Sequence, residues 1–145
     1  MTARTERHPA APIAGKGQEG MTEPLDAVRE LSAAFAARDL GAALACFAGG
    51  DIGYAGSEKA ETASGRDAVT ALLGELFQRP EAYAWTATAS TVHRYGAQAY
   101  VFAEAEGEVR TDAGETEAFP YRVSGIVELS GGRWLWRHCQ GGEPT

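Results

Sequence analysis

The side chains able to do chemistry gather in the last quarter of the chain, FPYRVSGIVELSGGRWLWRHCQGGEP, Phe119 to Pro144. His138 is the histidine of this stretch, and an imidazole of ordinary pKa, about 6.5, suits proton transfer near neutrality. The alternative is a histidine that simply bonds a neighbouring strand. Glu104 and Glu106 alternate onto one strand face with Tyr100 and Phe102. A carboxylate enclosed among aromatics has a raised pKa and can serve as acid or base; on an outward face it only solvates the sheet. Tyr54 and Tyr121 can donate to a carbonyl. Arg122 and Arg137 can grip an oxyanion or pair with the sheet's glutamates, and Gln140 follows His138 by two positions. Trp85, Trp134 and Trp136 supply flat indoles for a conjugated ligand, or fill a core or a dimer interface.

Other constellations are missing from the sequence. There is no zinc or iron spacing, no phosphate-cradling glycine loop, no GxGxxG after a strand and no GxSxG elbow. No cofactor and no metal are therefore expected. Cys46 and Cys139 lack CxxC spacing and read as buried free thiols. A net charge of −7 weighs against nucleic acid and against an anionic membrane. No apolar run approaches the roughly 20 residues of a spanning helix, and residues 1–20 hold no central apolar stretch of the seven or so that a signal peptide needs. The expected location is cytoplasmic.

The elements that must position these groups fit one domain, because 145 residues normally build a single core. Residues 1–21 lack periodicity and are expected to form a flexible tail, with Met21 a second candidate start of translation; residues 22–145 are the domain. Thr22 is expected to cap a first helix whose stripe is Leu25, Val28, Leu31 and Phe35. Asp39 caps a second, short helix that ends at Gly49-Gly50. A short strand over 51–54 and a loop over 56–62 follow. Ser64 and Asp67 then resemble a capping box opening a third helix with Val69, Leu73 and Leu76, which stops before Pro80. Beyond it the chain alternates as strands over 84–95 and 98–109. A turn at 111–114 leads to the final hairpin. Gly131-Gly132 suits a two-residue turn, which sets Leu129 opposite Trp134, Val127 opposite Trp136, and Gly125 opposite His138, with room for a ligand over the glycine. That register puts Tyr121, Val123, Trp134, Trp136, His138 and Gln140 on one face, and Arg122, Ser124, Arg137 and Cys139 on the other. Helices followed by a long antiparallel meander make an α+β fold.

The sequence AARDLGAALACF (Ala36–Phe47), then GRDAV (Gly65–Val69), resembles the SnoaL-like branch of the nuclear-transport-factor-2-like superfamily. So does the ending, Arg122-Val-Ser124, Gly132-Arg-Trp134 and then His138, which is similar to an R-x-T…G-x-W-x-x-x-H pattern. The resemblance spans residues 22–144. It implies a cone-shaped, strongly curved, mostly antiparallel sheet (a cystatin-like roll) with three N-terminal helices enclosing a pocket, and commonly a homodimer. Many relatives end H-x-H-x-S; here Gln140 and Gly142 stand at the second and third of those positions, so no metal or two-histidine relay is expected there. The Ala-rich texture and the Trp134–Gln140 ending also resemble small accessory proteins of enediyne polyketide pathways. That resemblance implies an apolar polyketide or polyene ligand and a cyclase- or isomerase-like activity. In that reading His138 and Glu104 move the proton. Tyr54, Trp85, Tyr100, Tyr121, Arg122, Trp136 and Gln140 shape the pocket. A non-catalytic protein that holds the polyketide or docks on its synthase is the alternative, and an oxidoreductase label carried by some relatives is a third.

Overall fold

In a computed structural model, residues 22–144 are described in full and Arg4–Pro9 by their backbone alone. The element order is β1 (Arg4–Pro9), α1 (Asp26–Ala37), α2 (Leu40–Leu44), β2 (Gly53–Ala55), β3 (Thr62–Ser64), α3 (Arg66–Phe77), β4 (Ala82–Tyr95), β5 (Gln98–Arg110), β6 (Thr116–Ser130) and β7 (Arg133–Gly142). One seven-stranded sheet runs β1-β4-β5-β6-β7-β2-β3, antiparallel throughout except where β2 lies parallel to β7. The helices pack on its concave face, as the α+β reading expects. Of the tail, Arg4–Pro9 form an edge strand against β4, an element that the sequence pattern did not announce; the other residues before Thr22 lie outside the described residues.

Apolar alternation decides which face is buried. Ala99, Val101, Ala103 and Ala105 of β5 are buried against the helices, so Tyr100, Phe102, Glu104 and Glu106 point to the convex side. Small alanines on the inner face leave space for large partners: Trp134 and Trp136 of β7, Trp85 of β4, and Leu31 and Phe35 of α1. Two indoles fasten α1 to the sheet. Trp136 donates to the Ala27 carbonyl at 3.0 Å and Trp85 to the Val28 carbonyl at 3.3 Å. Ser32 of α1 works from the same side. Its hydroxyl donates to the Trp85 carbonyl at 2.8 Å and accepts the Trp85 N–H at 2.9 Å, taking the place of a strand neighbour.

The ends of the helices differ from expectation. Asp39 caps α2 by accepting the Ala42 N–H at 3.0 Å, as its position suggests. Thr22 does not cap α1; its hydroxyl donates to the Gly132 carbonyl at 2.9 Å, pinning the chain's entry to the hairpin turn. Ser64 ends β3 rather than capping α3. Gly65, at φ 93°, makes that junction without a side-chain bond.

Two bulges bend the sheet, one between Ala87 and Ala89 and one that places Arg137 as an extra residue in β7. The hairpin turn is as expected: Gly131 and Gly132 both have positive φ, Leu129 faces Trp134 and Val127 faces Trp136. Past the bulge the expected register fails. Ile126, not Gly125, faces His138, and Gly125 faces Cys139. An extra residue turns every later side chain over, so Cys139 is buried while His138 and Gln140 emerge on the convex face. Nor is there room for a ligand at Gly125. With φ at 149°, a Cβ there would run into the His138 carbonyl.

Candidate functional site

The sheet divides the expected site residues into two groups. Tyr54, Trp85, Tyr121 and Trp136 lie on the concave face. His138, Glu104, Tyr100, Arg122 and Gln140 lie on the convex face, in cross-strand rows set by the register: Tyr100–Ile126–His138 and Phe102–Ser124–Gln140. His138 is therefore separated from the tryptophans by the thickness of the sheet. On the convex face Arg122 pairs with Glu104 at 3.2 Å. Arg137 pairs with Glu128 at 2.9 Å and also donates to the Gly49 and Asp51 carbonyls at 2.6 Å, so both arginines are occupied by partners of this chain. A cleft of about 270 Å³ opens on that side beside Phe102, Arg122, Ser124 and Gln140.

The concave face ends in an aromatic wall. Phe119 meets Tyr121 edge-on with centroids 5.7 Å apart. Tyr121 lies 5.7 Å from Trp85, Trp85 lies 4.9 Å from Phe35, and Phe35 reaches Tyr54 at 6.2 Å. Glycines make this possible. A Cβ on Gly107 would strike the Phe119 ring, and one on Gly141 would strike the Tyr121 phenol, so each ring lies over bare backbone of the adjacent strand.

Two phenols give the wall its chemistry. Neither the Tyr54 nor the Tyr121 hydroxyl has a hydrogen bond to another described residue, although Tyr54 is only 4% exposed. Burial pushes both phenols well above the usual tyrosine range. The neighbouring Tyr121, Cys139 and Glu61 add to the effect at Tyr54, and Cys139, Glu61 and Glu143 at Tyr121. Both are neutral donors across the physiological range. Trp136, by contrast, is fully buried with its N–H already used by α1, so it is a packing residue. Cys46 and Cys139 are free and buried, as their spacing suggests, and desolvation raises the Cys46 thiol to about 11.

Glu61 was missed by sequence reasoning. It lies in what reads as a polar loop, yet its side chain is only 13% exposed. Its fingerprint was the Ala63 two residues on, a small apolar residue that marks the inward face of an unrecognised strand. Among the described residues no cluster of histidine, cysteine and carboxylate groups could hold a metal ion.

A curved sheet clasping helices on its concave side is the fold of nuclear-transport-factor-2-like and cystatin-like proteins. The SnoaL-like domain family matches residues 25–142, and the chain belongs to that family. A protein of the nuclear-transport-factor-2-like family from Streptomyces avermitilis has a similar structure, with TM-score 0.73 and 12% identity over 89% of this chain and 99% of its own. A nuclear-transport-factor-2-like protein of unknown function from Pseudomonas putida gives 0.68, 20%, 90% and 90%. A ketosteroid isomerase-like protein from Erwinia carotovora gives 0.64, 19%, 88% and 98%. No curated protein matches the chain.

Proposed function

We propose that this SnoaL-like protein takes an apolar polyketide, a polyene of an enediyne pathway, against the aromatic wall and acts on it as a cofactor-independent cyclase- or isomerase-like helper. The observation that carries this reading is the pair of neutral phenols, Tyr54 and Tyr121, with no hydrogen bond to another described residue. Such donors await an acceptor, and a ligand carbonyl or the enolate formed from it is the acceptor that an apolar wall would present. The polyene and the enediyne pathway rest on the sequence resemblance, not on the fold. The convex face has a different part: His138, Glu104 and Arg122, with the half-buried Tyr100, Phe102 and Ile126, serve a homodimer contact. Light scattering that finds a monomer at micromolar concentration removes that contact.

The alternative, a protein that holds a reactive polyene or docks on its synthase, draws on one fact. Both phenols and the raised Cys46 thiol are held neutral, so none of these groups is a base. Titration with a conjugated polyene ketone, read by quenching of tryptophan fluorescence, tests the shared step. Tyr54→Phe and Tyr121→Phe should each weaken binding by up to about tenfold, the loss of one hydrogen bond worth about 0.5–1.5 kcal/mol. No quenching by the polyene with the wild-type protein overturns both readings. Deleting the gene and identifying the intermediate that accumulates then separates turnover from holding.

A further inference from the structure

The strand register gathers three polar side chains around the cleft on the convex face. Arg122 and Ser124 of β6 and Gln140 of β7 line it, and the Phe102 ring of β5 is its apolar wall. Phe102, Ser124 and Gln140 form one cross-strand row. In the next row Arg122 stands opposite Gly142. A Cβ built on Gly142 would meet nothing within 4 Å, whereas one on Gly107 or Gly141 would strike an aromatic ring. The floor beside the guanidinium is therefore open.

The charge presented to the cleft is positive. Arg122 Nε donates to Glu104 at 3.2 Å, which uses one of the five N–H donors of an arginine and holds the guanidinium in place. Arg122 lines the cleft and Glu104 does not, so the pair turns its positive member inward. Glu143 borders the cleft too. Alternation from the buried Gly141 sends its side chain toward the concave side, where its charge reaches the Tyr121 phenol. The Ser124 hydroxyl and the Gln140 amide bond no other described residue. A forked cation, a hydroxyl and an amide around an open space match the paired oxygens of a carboxylate, and the Phe102 ring matches a flat apolar body next to it.

We propose that this cleft is a binding site for a small carboxylic acid with a flat unsaturated body. The carboxylate lies over the open floor at Gly142, held by Arg122 and within reach of Ser124 and Gln140, and the body rests against Phe102. The volume of about 270 Å³ is the share of about nine water molecules at roughly 30 Å³ each. That is room for an acid of about ten non-hydrogen atoms and too little for a long polyene. The site lies across the sheet from the aromatic wall and is independent of what the wall binds. It shares Arg122 and Phe102 with the contact proposed for a second copy, so the acid and that copy exclude one another.

The test titrates the full chain with sodium cinnamate and follows backbone amides by two-dimensional NMR, with melting temperature as the check on folding. It is run on the wild-type protein and on Ile126→Glu, whose charge in the middle of the proposed contact keeps copies apart and leaves the cleft open. Saturable shifts at the Ser124, Gln140 and Gly142 amides are expected, with a dissociation constant of about 1 mM or below. Cinnamamide keeps the shape without the charge and should bind at least about tenfold more weakly, as should cinnamate to Arg122→Gln. Gly142→Leu places a side chain on the open floor. The Gly142 backbone is outside the left-handed region, so this variant should melt as wild type does and bind no cinnamate. Should it unfold, Arg122→Gln and cinnamamide decide. Cinnamate that shifts none of these amides in either protein, that binds no better than cinnamamide, or that binds a folded Gly142→Leu unchanged overturns the site. Shifts at Tyr54 and Tyr121 instead put the acid on the wall and overturn it as well.

Discussion

Replacing Tyr54 by Phe removes one hydroxyl and almost no volume, which makes it a clean probe of the wall. The ring is 4% exposed, and its contact with Phe35 at 6.2 Å is kept. No cavity opens, so the usual loss for core truncation does not apply. What disappears is a buried hydroxyl that bonds no described residue, and an unsatisfied buried polar group costs about 1–3 kcal/mol. Tyr54→Phe should therefore stabilise the fold by about 1–3 kcal/mol. For a domain of this size that is a rise of roughly 3–6 °C per kcal/mol in melting temperature. Urea unfolding followed by tryptophan fluorescence should show a higher midpoint at unchanged slope. Ligand affinity should fall at the same time, a gain of stability against function of the kind active sites commonly show. A variant destabilised by 1 kcal/mol or more would mean that the hydroxyl bonds something in the unliganded protein, and the argument that it awaits a ligand would fail.

Three other perturbations probe the scaffold. Cys46, raised from 9.0 to about 11 by burial, stays neutral in the fold after the unfolded chain has begun to ionise. Its contribution is complete below pH 9 and is lost as pH rises from 9 to 11, about 2–3 kcal/mol in all; urea midpoints constant to pH 11 would contradict it. Gly125→Ala should destabilise by about 3 kcal/mol or more, because a Cβ there meets the His138 carbonyl, and a wild-type melting temperature would show that the bulge can relax. Trp136→Phe removes the indole's bond to the Ala27 carbonyl and shrinks a fully buried ring. Chemical denaturation should record a loss of about 2–4 kcal/mol.

Much of the scaffold was legible because its signals are local. The Gly131-Gly132 turn fixed the pairing of Leu129 with Trp134, and the alanine alternation of β5 named the inner face. Asp39 announced its helix. The bulge at Arg137 was not read, although it left a trace: Gly125 interrupts an otherwise side-chain-bearing strand, and a lone glycine there marks a bulge or a close backbone approach. Missing that one residue carried His138 and Gln140 to the wrong side of the sheet. Glu61 was beyond local reading for another reason. β3 is three residues long, its partner β2 takes its own place from β7 more than 80 positions later in the chain, and no short window contains that information. The Ser64 and Asp67 pattern failed because Gly65 turns the chain so sharply that the strand runs almost directly into α3.

The serine of α1 that bonds both backbone groups of Trp85 governs what can be added to the molecule. β4 is 14 residues long, but β1 runs beside only its second half, Ala89 to Arg94. An exposed strand edge is a template on which any extended peptide can grow a sheet. At Trp85 that template is already filled by a side chain, so a strand advancing along β4 from β1 meets a stop at Ser32. Replacing Ser32 by Ala frees one donor and one acceptor at that point, and the sheet gains an adhesive margin. Under agitation such a variant should recruit further chains edge to edge, so that a single hydroxyl separates a sheet of fixed width from one that propagates.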